Sequence, residues 1–243
     1  MPQSVDRALD LLDAVAEAPG PVTAKALARR LDCGLSTVYA LLGALTDRGH
    51  LTRTPDGYTL GYRLPSLHRA FQRQLRIDGR VHEALLRLRG VSGADVFFST
   101  YRDGEIAVLD GATAAAGSVF SVGRDSAAHA TAHGKALLAS LPGAARRRYL
   151  ATTGMAPRTA RTITSPERLE RELRRVRRDG VAVEEGEAAS GMACVAVPVR
   201  MPVRAGGPAP ALTAVSAALP LAEFARLRGP LTEALRREAA ALR

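Results

Sequence analysis

The segment from residue 23 to residue 61 constrains the fold more than any other part of this chain. Its sequence is TAKALARRLDCGLSTVYALLGALTDRGHLTRTPDGYTLG. Apolar residues recur at helical spacing on both sides of Asp32-Cys33-Gly34, which predicts two short helices joined by a tight turn. The residues around Pro55-Asp56-Gly57 alternate, which predicts a β-hairpin. Helices at about 23–45 followed by a hairpin at 50–61 predict a winged helix-turn-helix, a motif that presents its second helix to the DNA major groove.

Residue types at the turn and at the helix ends support this prediction. Gly34 suits the positive φ that such a turn often needs. Thr23 is expected to cap the first helix, and Ser36 and Thr37 are expected to cap the second. Arg48 followed by a glycine is a typical end for the second helix.

DNA contacts are expected at the N-terminal end of the second helix and on the wing. Hydroxyl groups at a helix N-terminus can reach base edges and phosphates, and cations beside it can bind phosphates. The alternative is that Ser36 only caps the helix, Tyr39 packs against the wing, and the cations are solvated charges. The candidate DNA-binding residues are Thr23, Lys25, Ser36, Thr37, Tyr39, Arg53 and Arg63.

The net charge of +10 indicates a polyanionic partner, but the charge is unevenly placed. Residues 1–64 carry seven basic and seven acidic side chains, whereas residues 21–64 carry six basic and three acidic ones. Residues 65–90 add six arginines against two acids. The positive field therefore lies on the helix-turn-helix, the wing and the segment after it. The neutral sum over residues 1–64 leaves open that the winged helix binds a protein instead.

The cysteines and the hydropathy of the chain indicate in which cellular compartment the protein is expected. Cys33 and Cys194 lie far apart and form no C-x-x-C motif, which suits a reducing environment. No apolar run approaches the length of a membrane span, and residues 1–20 resemble no signal peptide. We expect a soluble, cytoplasmic protein with no membrane partner and no cofactor.

Periodicity organises the rest of the chain. Residues 4–18 predict an amphipathic helix with Val5, Ala8, Leu9, Leu12 and Val15 on one face. Residues 64–77 predict a linker helix after a winged-helix domain at 1–63. Residues 78–243 mix helices with mostly antiparallel strands, including one expected at 118–123, and predict an α+β domain.

Five segments in this order resemble the IclR-type family of bacterial transcriptional regulators. They are SVDRALDLLDAVAE, LSTVYALLGALTDRGHL, HATAHGKALLASL, RTITSPERLERELRRVRRDGVAVEEGE and SGMACVAVPV. The resemblance implies that the C-terminal domain is GAF-like and binds a small organic effector, for which a carboxylate is one candidate. It also implies that the winged helix binds palindromic operator DNA, as a homodimer or a dimer of dimers, and that the protein acts as a repressor.

The same resemblance implies an effector site in the second domain. Backbone N–H groups at the start of the helix after HAT would face an anion, and side chains from the following strands would line the pocket. The alternative is that these residues only pack in the core or, for His133, lie on a helix surface. The candidate effector-binding residues are Phe120, Ala132, His133, Gly134, Glu184, Met192, Cys194 and Ser216.

The residues leave three other interpretations open. His129 and His133 could share a helix face and bind a metal with Glu184 or Cys194, but this spacing is a weak signal and no metal site is predicted. Cys194 with His133 as base could make a small thiol enzyme, although no local signature supports an enzyme. A DNA-binding regulator without effector is the third. The arginine-rich run at 168–178 is expected to be a solvated amphipathic helix.

Overall fold

The computed structural model describes residues 3–75, 79–113, 120, 122–201 and 212–242. The chain divides into two compact units, Met1–Asp78 and Gly79–Arg243. None of the helices in these described residues is long and apolar enough to cross a membrane. The N-terminal unit consists of α1 (Gln3–Ala16), α2 (Ala24–Arg30), α3 (Leu35–Asp47), β1 (Leu51–Thr54), β2 (Gly57–Leu60) and α4 (Arg63–Leu75).

A small core holds the three helices of the N-terminal unit together. Leu11 and Val15 of α1, Leu27 of α2, and Val38 and Leu42 of α3 are buried in it. Antiparallel pairing of β1 with β2 forms the hairpin, in which Arg53 pairs with Tyr58. The predicted winged helix-turn-helix is confirmed.

Two details of the turn before α3 differ from the predictions. Asp32 is the residue with positive φ, at 46°, whereas Gly34 has an ordinary φ of −59°. Aspartate tolerates the left-handed region because its short polar side chain can bond locally. Gly34 is also the N-cap of α3, an end at which the described residues form no side-chain cap, and Ser36 and Thr37 lie inside the first turn instead.

Two helices of the N-terminal unit expose apolar side chains. The predicted apolar face of α1 is only partly correct, because Val5 and Leu9 are 51% and 56% exposed while Leu11 enters the core. On α4, Leu67 and Phe71 are 42% and 41% exposed. The predicted linker helix is present up to Leu75, and residues 76–77 of it lie outside the described residues.

The C-terminal unit is an α+β fold, as predicted. Its helices are α5 (Gly79–Ser92), α6 (Ala132–Ser140), α7 (Gly143–Thr153), α8 (Pro166–Asp179) and α9 (Leu221–Ala241). Its strands are β3 (Asp95–Arg102), β4 (Glu105–Ala112), β5 (Gly123–Arg124), β6 (Ala182–Glu185), β7 (Met192–Arg200) and β8 (Leu212–Pro220). The strand predicted at 118–123 is reduced to β5, and residues 118, 119 and 121 lie outside the described residues.

The six strands form one antiparallel sheet in the order β5-β4-β3-β8-β7-β6. Alternate residues of each strand point to opposite faces, and both faces are buried. Phe97, Cys194 and Ala214 lie on the face that packs against α6 and α8. Helices α5 and α9 pack against the same strands from the other side.

Helix α6 starts in very close contact with the loop before it. A Cβ atom added at Gly134 would lie 2.3 Å from both the Cα and the carbonyl oxygen of Ala128. Thr131 caps the helix, because its hydroxyl accepts the Gly134 N–H at 3.1 Å. Only glycine therefore lets the first turn of α6 approach this backbone.

Gly134→Ala should destabilise the C-terminal unit by about 1–3 kcal/mol or more, because backbone atoms cannot move aside cheaply. Gly90→Ala is the matched control, since its added Cβ meets nothing within 4 Å in α5. The control should be neutral or stabilising by up to about 1 kcal/mol. Urea unfolding followed by circular dichroism measures both. Equal stabilities of the two variants would contradict the close contact at Gly134.

Candidate DNA-binding surface and effector cavity

A concave notch of about 530 Å³ lies between the helices and the wing of the N-terminal unit. Its position follows from a β-bridge in which Val22 and Tyr58 exchange backbone hydrogen bonds of 3.0 and 2.9 Å. This bridge holds the start of α2 beside the wing. The notch is lined by Thr23, Ala24, Tyr39, Arg53, Thr54, Pro55, Asp56, Gly57 and Tyr58.

Three of the predicted DNA-binding residues meet at this notch. Tyr39 is 53% exposed, and Arg53 is exposed on β1. The Thr23 hydroxyl accepts the Ala26 N–H at 3.3 Å, so the predicted cap of α2 is confirmed. The other four candidates, Lys25, Ser36, Thr37 and Arg63, do not line the notch; all are exposed except Thr37, which is half-buried.

The C-terminal unit contains a cavity of about 220 Å³ beside the first turn of α6. Apolar side chains and polar or charged ones share its wall. The lining residues are Val108, Phe120, Arg124, Asp125, Ser126, Ala127, Thr131, His133, Arg158, Ala188 and Ala189. Phe120 and His133 are the two predicted effector residues that line this cavity.

A hydrogen-bond network centred on Asp125 orders one wall of the cavity. The Asp125 carboxylate accepts from the Thr131 hydroxyl at 2.9 Å and from the Ala127 N–H at 2.7 Å, and its Oδ2 lies 2.8 Å from His133 Nε2. Burial opposes ionisation of this carboxyl, but the hydrogen bond and charge of His133 and the other donors hold its pKa below the ordinary value. The Phe120 ring packs edge-on against the His133 ring, with 5.2 Å between the ring centroids.

Two arginines give the cavity a positive rim. Arg124 is exposed and pairs with Glu105 at 2.6 Å. Arg158 is exposed, and within the described residues its guanidinium has no carboxylate at ion-pair distance. Arg158 lies on a segment that Thr162 holds, since the Thr162 hydroxyl accepts the Arg158 N–H at 3.0 Å and donates to the Glu187 carbonyl at 2.7 Å.

The remaining predicted effector residues do not line the cavity. Glu184, Cys194 and Ser216 lie on adjacent strands of the sheet, on the face toward α6, and are 2%, 0% and 0% exposed. Ala132 is buried there too, Met192 packs at the edge of this core, and the Gly134 N–H is already bonded to Thr131. They lie deeper in the core than expected, because small side chains let α6 close onto the sheet.

A buried ion pair connects α6 to the cavity wall. Lys135 is fully buried and pairs with Glu187, whose side chain is 13% exposed. Glu184 accepts the N–H groups of Glu187 and Ala188 at 2.8 and 3.3 Å. Desolvation raises the pKa of Glu184 to about 7, although these hydrogen bonds and Lys135 lower it. The wall at Ala188 is thus held by Glu184 and by the buried ion pair beside it.

Sequence patterns missed the residues that give the cavity its charge. Arg124, Asp125 and Arg158 belong to none of the recognised motifs, and their nearness depends on loops rather than on periodicity. Thr131 directly precedes the predicted helix, so its capping role could have been recognised.

Family models match almost the whole chain in two successive parts. The IclR helix-turn-helix domain matches residues 4–55. The model described as "Bacterial transcriptional regulator IclR C-terminal" matches residues 73–242. The chain belongs to the IclR family. It is a DNA-binding transcriptional regulator and not an enzyme.

Individual members of the IclR family support this assignment. The HTH-type transcriptional regulator Rv1719 of Mycobacterium tuberculosis is 32% identical over 237 residues, which cover 96% of this chain and 88% of that protein. The crystal structure of Thermotoga maritima IclR is 26% identical, with a TM-score of 0.76 over 98% of this chain and 96% of that one. An IclR homolog from Microbacterium hydrocarbonoxydans, complexed with 4-hydroxybenzoate, is 24% identical, with a TM-score of 0.75 over 99% and 97% of the two chains.

The thiol and metal interpretations do not fit an IclR-family regulator or this site. Complete burial raises the pKa of the Cys194 thiol well above its ordinary value, which disfavours the nucleophilic thiolate. His129 Nε2 lies 3.0 Å from the Ala156 carbonyl, and His133 Nε2 is bonded to Asp125. Within the described residues no group of three or more His, Cys, Asp or Glu side chains could hold a metal ion.

The pKa of Glu184 predicts a pH dependence of stability. The folded chain keeps a proton up to about pH 7 that an ordinary carboxyl, with a pKa of 4.5, has already lost. Stability from this group should therefore fall as the pH rises from about 4.5 to about 7, by up to about 3 kcal/mol. Glu184→Gln keeps an acceptor for the two N–H groups and should remove this slope. Urea unfolding of both proteins from pH 5 to pH 8 tests it; identical slopes would contradict a buried, protonated Glu184.

Proposed function

We propose that this IclR-family regulator is a cytoplasmic repressor whose operator affinity is set by a small organic acid. The winged helix binds a palindromic operator, and the cavity of the C-terminal unit binds the effector. The observation that carries the DNA-binding part is the meeting of exposed Tyr39 and Arg53 on one concave surface of the winged helix.

The DNA-contacting residues divide into two roles. Tyr39, Ser36 and Thr37 lie in the first two turns of α3, the part of a recognition helix that reaches base edges first. Arg53 on the wing, with Lys25 and Arg63, supplies cations for phosphates, which set affinity more than sequence choice. Thr23 caps α2 and lines the same notch, where its hydroxyl is a further candidate DNA contact.

Self-association is supported by the apolar side chains that the N-terminal unit exposes. Val5 and Leu9 on α1, and Leu67 and Phe71 on α4, are each at least two-fifths exposed. Apolar surface of this kind favours burial against an identical surface, and two-fold pairing is the commonest arrangement of homo-oligomers. A homodimer, or a dimer of dimers, would present two winged helices to a palindromic operator.

A carboxylate effector is supported by the charges and hydrogen-bonding groups of the cavity. Arg158 offers a guanidinium that no carboxylate of the described residues neutralises, and guanidinium groups bind carboxylates with two parallel hydrogen bonds. His133 Nδ1 is buried and has no partner in the described part of the chain. A hydroxyl on the effector, which can donate or accept, would satisfy it and remove a cost of about 1–3 kcal/mol. The 4-hydroxybenzoate held by the Microbacterium homolog carries a carboxylate and a hydroxyl.

The effector controls DNA binding if its affinity differs between two arrangements of the protein. An effector that binds one arrangement of the protein more tightly shifts the population toward that arrangement. The spacing of the two winged helices in the dimer decides how well they fit the operator half-sites, so a changed arrangement changes operator affinity.

Substitutions at the notch should separate the two roles in DNA binding. Arg53→Gln should weaken binding to operator and random duplexes alike and lower the slope of log K against log salt by about 0.9 for each phosphate that Arg53 neutralises. Tyr39→Ala should weaken operator binding by about 1–3 kcal/mol with little effect on random DNA. Fluorescence anisotropy at several salt concentrations measures both. An unchanged slope in Arg53→Gln would rule out its phosphate role.

Arg158→Ala should weaken binding of carboxylate ligands about 10- to 100-fold, as expected when a charged hydrogen bond is removed. Calorimetry with acetate, glyoxylate, benzoate and 4-hydroxybenzoate identifies which carboxylate binds. The uncharged amide or aldehyde analogue of each, measured in parallel, shows whether binding depends on the carboxylate charge. Arg147→Ala is the matched control, because Arg147 is exposed on α7 and does not line the cavity. Equal affinity in both variants would contradict the assigned carboxylate contact.

A further inference from the structure

The positive charge of the C-terminal unit is concentrated in one stretch of its sequence. Residues 143–180 hold eleven arginines and four acidic residues. The rest of the unit from residue 79 onward holds thirteen basic and twelve acidic residues, which nearly cancel. Helix α8 contributes six of the eleven arginines. The basic character of this unit is therefore a local property of the α7–α8 region.

Helix α8 places apolar residues on the side that faces the core and most of its arginines on the opposite side. Leu169, Leu173 and Val176 are buried, so the predicted amphipathic helix is confirmed. At 100° per residue, five exposed arginines fall on the opposite side of the helix. This α8 arginine face consists of Arg168, Arg171, Arg174, Arg175 and Arg178.

The carboxylates near this face neutralise it only in part; besides the hydrogen bond from Ser165, the charge of Arg171 lowers the pKa of Glu167. Glu170 lies on the flank and pairs with Arg146 and Arg177, which are not part of the face. Glu172 and Asp179 pair with Arg175 and Arg178 at 3.6 and 2.7 Å. The other three arginines of the face, Arg168, Arg171 and Arg174, have no carboxylate within ion-pair distance among the residues that the structure describes.

Like charges crowd part of this face, although Arg168, Arg171 and Arg174 each lie four residues from a glutamate of the same helix. Arg171 and Arg174, and Arg174 and Arg178, are three and four residues apart, where like charges repel by a few tenths of a kcal/mol per pair. A solvated helix without a partner would be more stable with alternating charges. An array of anions placed along the helix would remove the repulsion and bind all the arginines at once.

We propose that the α8 arginine face binds the phosphates of duplex DNA, as a second DNA contact beyond the winged helix. Guanidinium groups bind phosphate oxygens with paired hydrogen bonds. The face extends over about ten residues, or about 15 Å at 1.5 Å per residue. Duplex DNA carries one charge per about 1.7 Å of its axis, so several phosphates lie within that length. The winged helix of the same chain already holds DNA, which raises the local concentration of this partner.

The test compares two full-length triple variants that lose the same charge. Arg168→Gln/Arg171→Gln/Arg174→Gln removes the three unpaired arginines of α8. Arg226→Gln/Arg228→Gln/Arg237→Gln removes three exposed arginines of α9. Glutamine keeps a high helix propensity, and all six side chains are exposed, so neither variant should unfold at a lower temperature than the wild type.

Anisotropy titrations use a random duplex of about 60 base pairs from about 25 to 200 mM salt. The α8 variant should lower the slope of log K against log salt by about 2 to 3, at about 0.9 per phosphate, and weaken binding at least tenfold at the lowest salt. The α9 variant should match the wild type. Equal losses in both variants would show an effect of net charge only, and no loss in either would assign the face to another partner or to solvent; both results overturn the proposal. Because random DNA is used, the outcome does not depend on the operator or the effector.

Discussion

Burial of helix α6 on all sides is the constraint on which the C-terminal unit depends. Every residue from Ala132 to Ala139 is buried between the sheet and α8. Such a position demands small residues at the contacts, glycine at 134, and a partner for the Lys135 ammonium. Glu187 supplies that partner and thereby fixes the loop that forms one wall of the cavity. The shape of the cavity therefore follows from the burial of α6 together with its lysine, Lys135, whose partner Glu187 lies next to Ala188 of the cavity wall.

In the N-terminal unit a local contact also positions the functional residues, but it leaves them exposed instead of buried. The core of this unit is small, and the Val22–Tyr58 bridge together with buried Leu51 of the wing places the wing beside α2. This arrangement leaves Tyr39 and Arg53 exposed on one surface. The C-terminal unit encloses His133 and Asp125 in the wall of a cavity and exposes arginines only at its rim, whereas the N-terminal unit displays its candidate contacts on an open surface.

Periodic residues could be predicted from the sequence, and contacts made by loops could not. Leu27, Val38 and Leu42 recur at helical spacing, and Ser165 with Gly180 marks the two ends of α8, so these elements agree with the structure. The positive φ at Asp32 instead of Gly34 depends on how the turn closes onto the core. Likewise, Arg124, Asp125 and Arg158 meet through irregular segments that carry no periodic signal. The deep burial of Glu184 and Ser216 depends on how closely α6 approaches the sheet, which no motif encodes.

We expect the notch and the cavity to serve one regulator that recognises a particular DNA sequence. The most direct measurement is binding of the full-length protein to the intergenic DNA upstream of its own gene, titrated against salt beside a scrambled duplex of equal length and composition. We expect saturable binding to the upstream DNA, at least about a thousandfold tighter than to the scrambled duplex, with a steep salt dependence on both. Equal affinity for the two duplexes, or no binding, would contradict it.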